Sequence, residues 1–119
     1  MHFIDTHAHV YAEELTSDLD LIMKNAVAVG VNKIIMPAID STTLEAMLKV
    51  EQQFPEHCIA MMGLHPCYVK ENYKEELKLV EDWIGKRKFI AIGEIGLDFY
   101  WDKTFTKEQH IVFETQMQW

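Results

Sequence analysis

The chain has 119 residues, 49% apolar and 25% charged, with a formal net charge of −8 and two cysteines. That length supports one domain with a modest core, and no run approaches the roughly 18 apolar residues of a membrane span. The acidic balance argues against a protein that binds nucleic acid by coating phosphates with Lys and Arg, though not against a nucleic-acid substrate held through metal ions.

The first apolar run opens FIDTHAHV, Phe3 to Val10. Asp5, His7 and His9 interrupt anything that would serve as a signal-peptide core. In extended backbone, residues two apart point to one face. His7 and His9 would therefore leave a strand roughly 6–7 Å apart at a rise of about 3.3 Å per residue. Two ring nitrogens at that spacing can converge on one divalent ion; paired histidines that only hydrogen-bond to backbone are the alternative.

Tyr11 to Leu15 read as a loop. Thr16 or Ser17 then caps a helix with Asp18 and Asp20 in its first turn. Its buried stripe is Leu19, Ile22, Met23, Ala26 and Val27, and Gly30 stops it. Lys33 to Ile39 has the near-continuous apolarity of a strand buried on both faces. Asp40 or Ser41 caps a second helix with Leu44, Met47 and Leu48 inward. Cys58 to Gly63 is a third strand. A loop through His65-Pro66 leads to a helix with Leu77, Val80 and Ile84 inward, ended by Gly85. Phe89 to Gly93 reads as a fourth strand. Thr106-Lys107-Glu108-Gln109 reads as a capping box, opening a last helix with Ile111, Val112 and Phe113. The order βαβαβαβα over residues 1–119 predicts a single α/β domain with a parallel sheet and right-handed crossovers. Cys58 and Cys67, on one strand and its exit loop, are too far apart to bridge, so the chain reads as reduced and cytoplasmic.

In parallel α/β architectures ligands bind at the carboxyl ends of the strands, and the polar residues sort to that end. The first strand ends in Asp5, His7 and His9, and the second exits through Asp40. The third runs into His65 and the fourth into Glu94 and Asp98. Lys86, Arg87 and Lys88 fall at the opposite end and read as a solvated face. Glu94 would complete a His₂Glu set, which leaves a position open in catalytic zinc sites, and a carboxylate can also bridge two ions. Asp98 reads either as a support for a ligand or as a turn residue. His65, kept extended by Pro66, reads as a donor to phosphate or as a loop histidine bonded to backbone.

D-T-H-A-H at Asp5–His9, G-L-H-P at Gly63–Pro66 and G-E-I-G-L-D-F-Y at Gly93–Tyr100 together resemble the TatD family of metal-dependent hydrolases, which are amidohydrolase-like TIM barrels. The resemblance implies that His7 and His9 bind one metal, that Glu94 bridges two, that His65 lies close to substrate and that Asp98 supports the site. It implies hydrolysis of phosphodiester bonds in DNA, typically as a 3′-to-5′ exonuclease, with Mg²⁺, Mn²⁺ or Zn²⁺. A complete barrel needs about 200–250 residues, and the family's remaining ligands, two histidines and an aspartate, follow the fifth and later strands. His110 is the last histidine here and reads as a surface residue. The expectation is therefore a parallel (βα)₄ half of a TIM barrel, a truncated enzyme without its second half. The alternatives are a catalytically impaired metal-binding fragment that needs self-association or a partner, or another H-x-H barrel hydrolase acting on small esters.

Two further expectations concern partners. Four open strands leave unpaired edges, so two copies would close a barrel as a homodimer. Phe99 and Tyr100 either pack on the next helix or face substrate. Trp101, with Lys103 and Lys107 nearby, would stack on bases and track phosphates, favouring single-stranded DNA.

Overall fold

Alternating apolar runs and amphipathic stretches form the expected parallel α/β layers in the computed structural model, which describes residues 1–119. Strands β1 (Phe3–Asp5), β2 (Val31–Pro37) and β3 (Cys58–Met61) make a parallel sheet in the order β1-β2-β3. Helix α1 (Leu19–Ala28) joins β1 to β2 and α2 (Leu44–Gln53) joins β2 to β3, while α3 (Tyr73–Lys86) and α4 (Thr106–Met117) follow. The register sets Asp5 beside Ile34 and Met36 beside Ala60. Met36, Met47, Ala60, Met62 and Leu64 are buried almost completely at the centre of the core. No helix is long and apolar enough to cross a membrane.

The expected fourth strand is reduced to one parallel bridge between Met62 and Ile92. Met62 N–H donates to Ala91 O at 3.2 Å and Gly93 N–H to Met62 O at 2.8 Å. Earlier along the β3 edge the ladder is displaced, because Ala60 N–H donates instead to Glu51 Oε1 at 2.8 Å. The segment still lies alongside β3, with Ile90 half exposed on its far side.

Helix ends depart from expectation for local reasons. Gly30 stops α1 with φ of +94° as its position predicts. Gly85 lies within α3; the helix ends where Arg87 turns extended and meets Glu51. A 3₁₀ turn over Glu13–Asp18 precedes α1, and Thr16 Oγ1 donates to Glu13 O at 2.8 Å rather than capping the helix. Val27 is exposed, so the α1 stripe is narrower than predicted. Before α2, Asp40 Oδ1 accepts from Thr42 N–H at 2.9 Å, and Ser41 is bound by Glu76 of α3, so neither caps Leu44. At α4 no capping box forms: Thr106 Oγ1 donates to Lys103 O at 2.8 Å, and Gln109 is drawn to Asp98. Arg87 is no idle surface cation, since Nη1 and Nη2 grip Glu51 at 2.5 and 3.1 Å.

Candidate metal centre

Beyond β1 the chain stays alongside the sheet, with Ala8 N–H donating to Ile35 O at 3.1 Å. Ala8 packs toward the core, which turns its neighbours His7 and His9 to the other side, their rings 5.2 Å apart. Asp5 Oδ1 accepts from His7 N–H at 3.0 Å and so holds the backbone entering the pair. Glu94 arrives from the segment beside β3, its N–H donating to Ala38 O at 3.3 Å.

The side chains meet at the Glu94 carboxylate. Glu94 Oε2 lies 3.0 Å from His7 Nε2 and 3.5 Å from His9 Nε2. One donor atom from each of the three residues falls within 4.8 Å of the others. The donor set, two imidazoles and a carboxylate at mutual distances one ion could span, fits a divalent metal. Burial and the neighbouring His7 hold His9 below its ordinary value, against the pull of Glu94. That favours the neutral, ligating ring.

His65 takes the other side of Glu94, with Nε2 3.2 Å from Oε1. Its Nδ1 accepts from Cys67 N–H at 3.0 Å, so the ring is neutral and carries its proton on Nε2. The geometry therefore gives His65 a donor where His7 and His9 converge. Its N–H to the Ile39 carbonyl, at 2.9 Å, fixes the loop to the end of β2.

Asp98 does not bond to this set. Its Oδ1 accepts from Tyr100 N–H at 3.0 Å and Trp101 N–H at 3.2 Å, the turn arrangement that was one of its two readings. Those two amides hold its carboxyl below the usual range. Phe99 leans on His110 of α4 at 5.8 Å, and His110 is exposed as expected. Tyr100 and Trp101 are 79% and 78% exposed, with rings 4.8 Å apart edge to face. That contradicts packing of Tyr100 on the helix. Lys103 and Lys107 are exposed, and the loop between Trp101 and Lys103 is tied down by Lys70 on Asp102 at 2.7 Å.

Several residues that build the site have no counterpart in the sequence reading. Tyr11, read as loop, is buried with its hydroxyl 2.7 Å from His9 Nδ1 and 2.5 Å from Pro37 O. The readable signal was phase: positions 7, 9 and 11 share one face of an extended chain. Gln116 accepts from Leu64 N–H at 2.7 Å and donates to Leu64 O at 3.2 Å. Gln109 does the same to Asp98, at 2.8 Å each way. Helix α4 thus grips two of the three segments that bear site residues, those of His65 and Asp98. Its signal was a glutamine at buried positions three before and four after Val112. Glu76 binds Ser41 through its N–H at 2.9 Å and its hydroxyl at 2.6 Å, joining α3 to the β2 exit.

A family model described as "TatD related DNase" matches residues 4–119. The uncharacterized metal-dependent hydrolase YabD of Bacillus subtilis is 32% identical over 113 residues, covering 95% of this chain and 44% of YabD. A 3'-5' ssDNA/RNA exonuclease TatD of Erwinia tasmaniensis is 24% identical over 113 residues, covering 95% and 44%. The crystal structure of YjjV, a TatD homolog from Escherichia coli K12, superposes with a TM-score of 0.88 at 29% identity, covering 98% of this chain and 45% of YjjV. The chain spans about half the length of the curated relatives it matches.

Proposed function

We propose that this chain, which belongs to the TatD family of metal-dependent hydrolases, carries the His7, His9 and Glu94 ligands of an enzyme that cleaves phosphodiester bonds in DNA. The observation that carries the reading is the convergence of His7, His9 and Glu94 within 4.8 Å. Each comes from a motif that resembles the family's. A divalent ion held there supplies Lewis-acid charge to a phosphoryl group. Glu94 presents one oxygen to the histidine pair and the other toward His65; by the family resemblance it would hold two ions, with Mg²⁺, Mn²⁺ and Zn²⁺ as the candidates. His65 holds its Nε2 proton where it can donate to a phosphate oxygen. Asp98 sets the turn that presents Trp101, and in that way positions the substrate face.

Single-stranded DNA is the proposed substrate. The exposed Tyr100–Trp101 pair offers stacking faces, and the Erwinia relative is named for single-stranded DNA and RNA. Phe3, Ile4 and Ile90 are each about half exposed at the two edges of the sheet, which supports pairing with further strands, as in a homodimer that closes a barrel. Free Cys58 and Cys67 support a reducing, cytoplasmic setting.

The test is metal content and turnover on single-stranded DNA, duplex DNA, RNA and a small carboxylic ester, with His7→Ala as control. Metal-dependent cleavage of single strands, with metal lost in His7→Ala, is expected. Unchanged metal content in His7→Ala sinks the ligand assignment. Metal binding without turnover leaves the fragment reading, and turnover of the small ester alone leaves the other hydrolase class.

A further inference from the structure

We propose that Tyr11 is a positioning residue that fixes His9 in its Nδ1–H form and so presents the Nε2 lone pair to the metal. The inference rests on the reading of His7, His9 and Glu94 as a metal site, and deepens it. The Tyr11 hydroxyl is enclosed, the residue being 5% exposed, and it has one proton to give. Pro37 O, 2.5 Å away, is a carbonyl and can only accept. The hydroxyl therefore donates to Pro37, and its oxygen is left as an acceptor. Its remaining polar neighbours are Thr43, whose hydroxyl donates to Asp40 O at 3.1 Å, and His9 Nδ1 at 2.7 Å; facing an oxygen that has already given its proton, His9 Nδ1 must be the donor. A neutral imidazole has one N–H, so Nε2 carries a lone pair.

That lone pair faces Glu94 Oε2 across 3.5 Å. Two acceptors then confront each other with no proton between them, an arrangement a cation relieves. His65 shows the reverse wiring. A backbone amide occupies its Nδ1, and the proton sits on Nε2 toward Glu94 Oε1. The far nitrogen of each ring thus sorts the two histidines, one to ligate and one to donate. Pro37 ends β2 and is itself paired with Met61 in the sheet, so the chain Pro37–Tyr11–His9 references the ligand to the rigid part of the fold. Partners of this kind typically contribute 10–100-fold in metal affinity, about that range in other sites.

The experiment is a long-range proton–nitrogen correlation spectrum of the metal-free, ¹⁵N-histidine-labelled chain at about pH 8, where ordinary imidazoles are neutral. His9 is expected as Nδ1–H and His65 as Nε2–H. In Tyr11→Phe, which keeps the ring, His9 should become a tautomer mixture while His65 is unchanged. Zn²⁺ affinity, by chelator competition, should fall about 10–100-fold. A wild-type His9 protonated on Nε2 overturns the proposal, as does a Tyr11→Phe chain with the wild-type tautomer and affinity. Should Tyr11→Phe fail to fold, the wild-type spectrum alone decides. A wild-type chain with Nδ1–H His9 that takes up no Zn²⁺ overturns the metal reading and leaves the Tyr11–His9 relationship standing.

Discussion

Gly63 and Gly93 pass so closely that a Cβ on Gly63 would lie 2.8 Å from Gly93 C and 2.9 Å from Gly93 O. The obstacle is backbone, which cannot swing aside as a side chain can. Gly63 leads into Leu64-His65 and Gly93 into Glu94, so this crossing sets how near the β3 exit loop comes to the carboxylate. Gly63→Ala should cost about 1–3 kcal/mol, the usual range for overpacking, and should weaken Zn²⁺ binding by moving Glu94 from His7 and His9. Gly93→Ala meets the flexible end of Met61 instead, with Sδ at 2.8 Å, and should be milder. Denaturation midpoints and Zn²⁺ titration of both variants check this; equal losses would show that the backbone crossing has no special part.

Helix α4 should matter through its glutamines more than its apolar residues. Gln116 is 1% exposed and satisfies both peptide groups of Leu64. Gln116→Leu would strand a buried donor and acceptor, each costing about 1–3 kcal/mol. Gln109→Leu should cost less, because Asp98 lies nearer solvent and water can replace the amide. Urea midpoints give the order, and a Gln109→Leu chain less stable than Gln116→Leu would reverse the assignment.

The metal-ligand candidates were legible because their chemistry is local. His7 and His9 follow from strand periodicity alone, and Glu94 follows from its place after an apolar run. The strands were legible for the same reason, except the segment at Phe89–Gly93. There the sequence carries strand propensity, but pairing depends on Glu51, a residue of another element, which takes the Ala60 amide. The Tyr11, Gln109 and Gln116 contacts were not legible, since each joins side chain to backbone across distant elements. Thr106 shows the conflict directly. Its local pattern specifies a capping box, and the tertiary demand of Asp98 on Gln109 overrides it.

Glu51 should give the fold an acid-sensitive component. Burial pushes its carboxyl up, but the Arg87 fork, the Ala60 amide and the Arg87 charge outweigh that and hold it below the usual range. A carboxyl depressed in the folded state contributes stability above its unfolded value of about 4.5. That contribution is lost as pH falls through the lower folded value. Glu51→Gln should therefore be less stable than wild type near neutrality, by about 1 kcal/mol given the partial exposure of Arg87. The difference should begin to narrow as pH falls below about 4.5 and go on narrowing into acid. Unfolding followed from pH 3 to 8 checks it; a gap that persists unchanged into acid would mean the charge pair is not its source.

Trp101 should affect substrate and leave the metal alone. Its side chain is 78% exposed, and its backbone is held from beneath by Asp98 through the Trp101 and Tyr100 amides. Truncating an exposed ring removes little packing, so Trp101→Ala should stay within about 0.5 kcal/mol of wild-type stability, as surface substitutions usually do. Stacking on an unpaired base is worth about 1–3 kcal/mol, which predicts a rise in KM for single-stranded DNA of roughly 5- to 150-fold. Metal content should be unchanged, because no Trp101 atom belongs to the His7, His9 and Glu94 group. Lys103→Ala should give a smaller rise that shrinks with added salt, as a contact with phosphate would. Asp98→Ala should resemble Trp101→Ala in KM, since it releases the same turn. If Asp98→Ala instead lowers kcat and metal content together, Asp98 supports the ligand set rather than the aromatic loop. If Trp101→Ala unfolds or loses metal, the ring is a packing residue and His65 becomes the main contact with substrate.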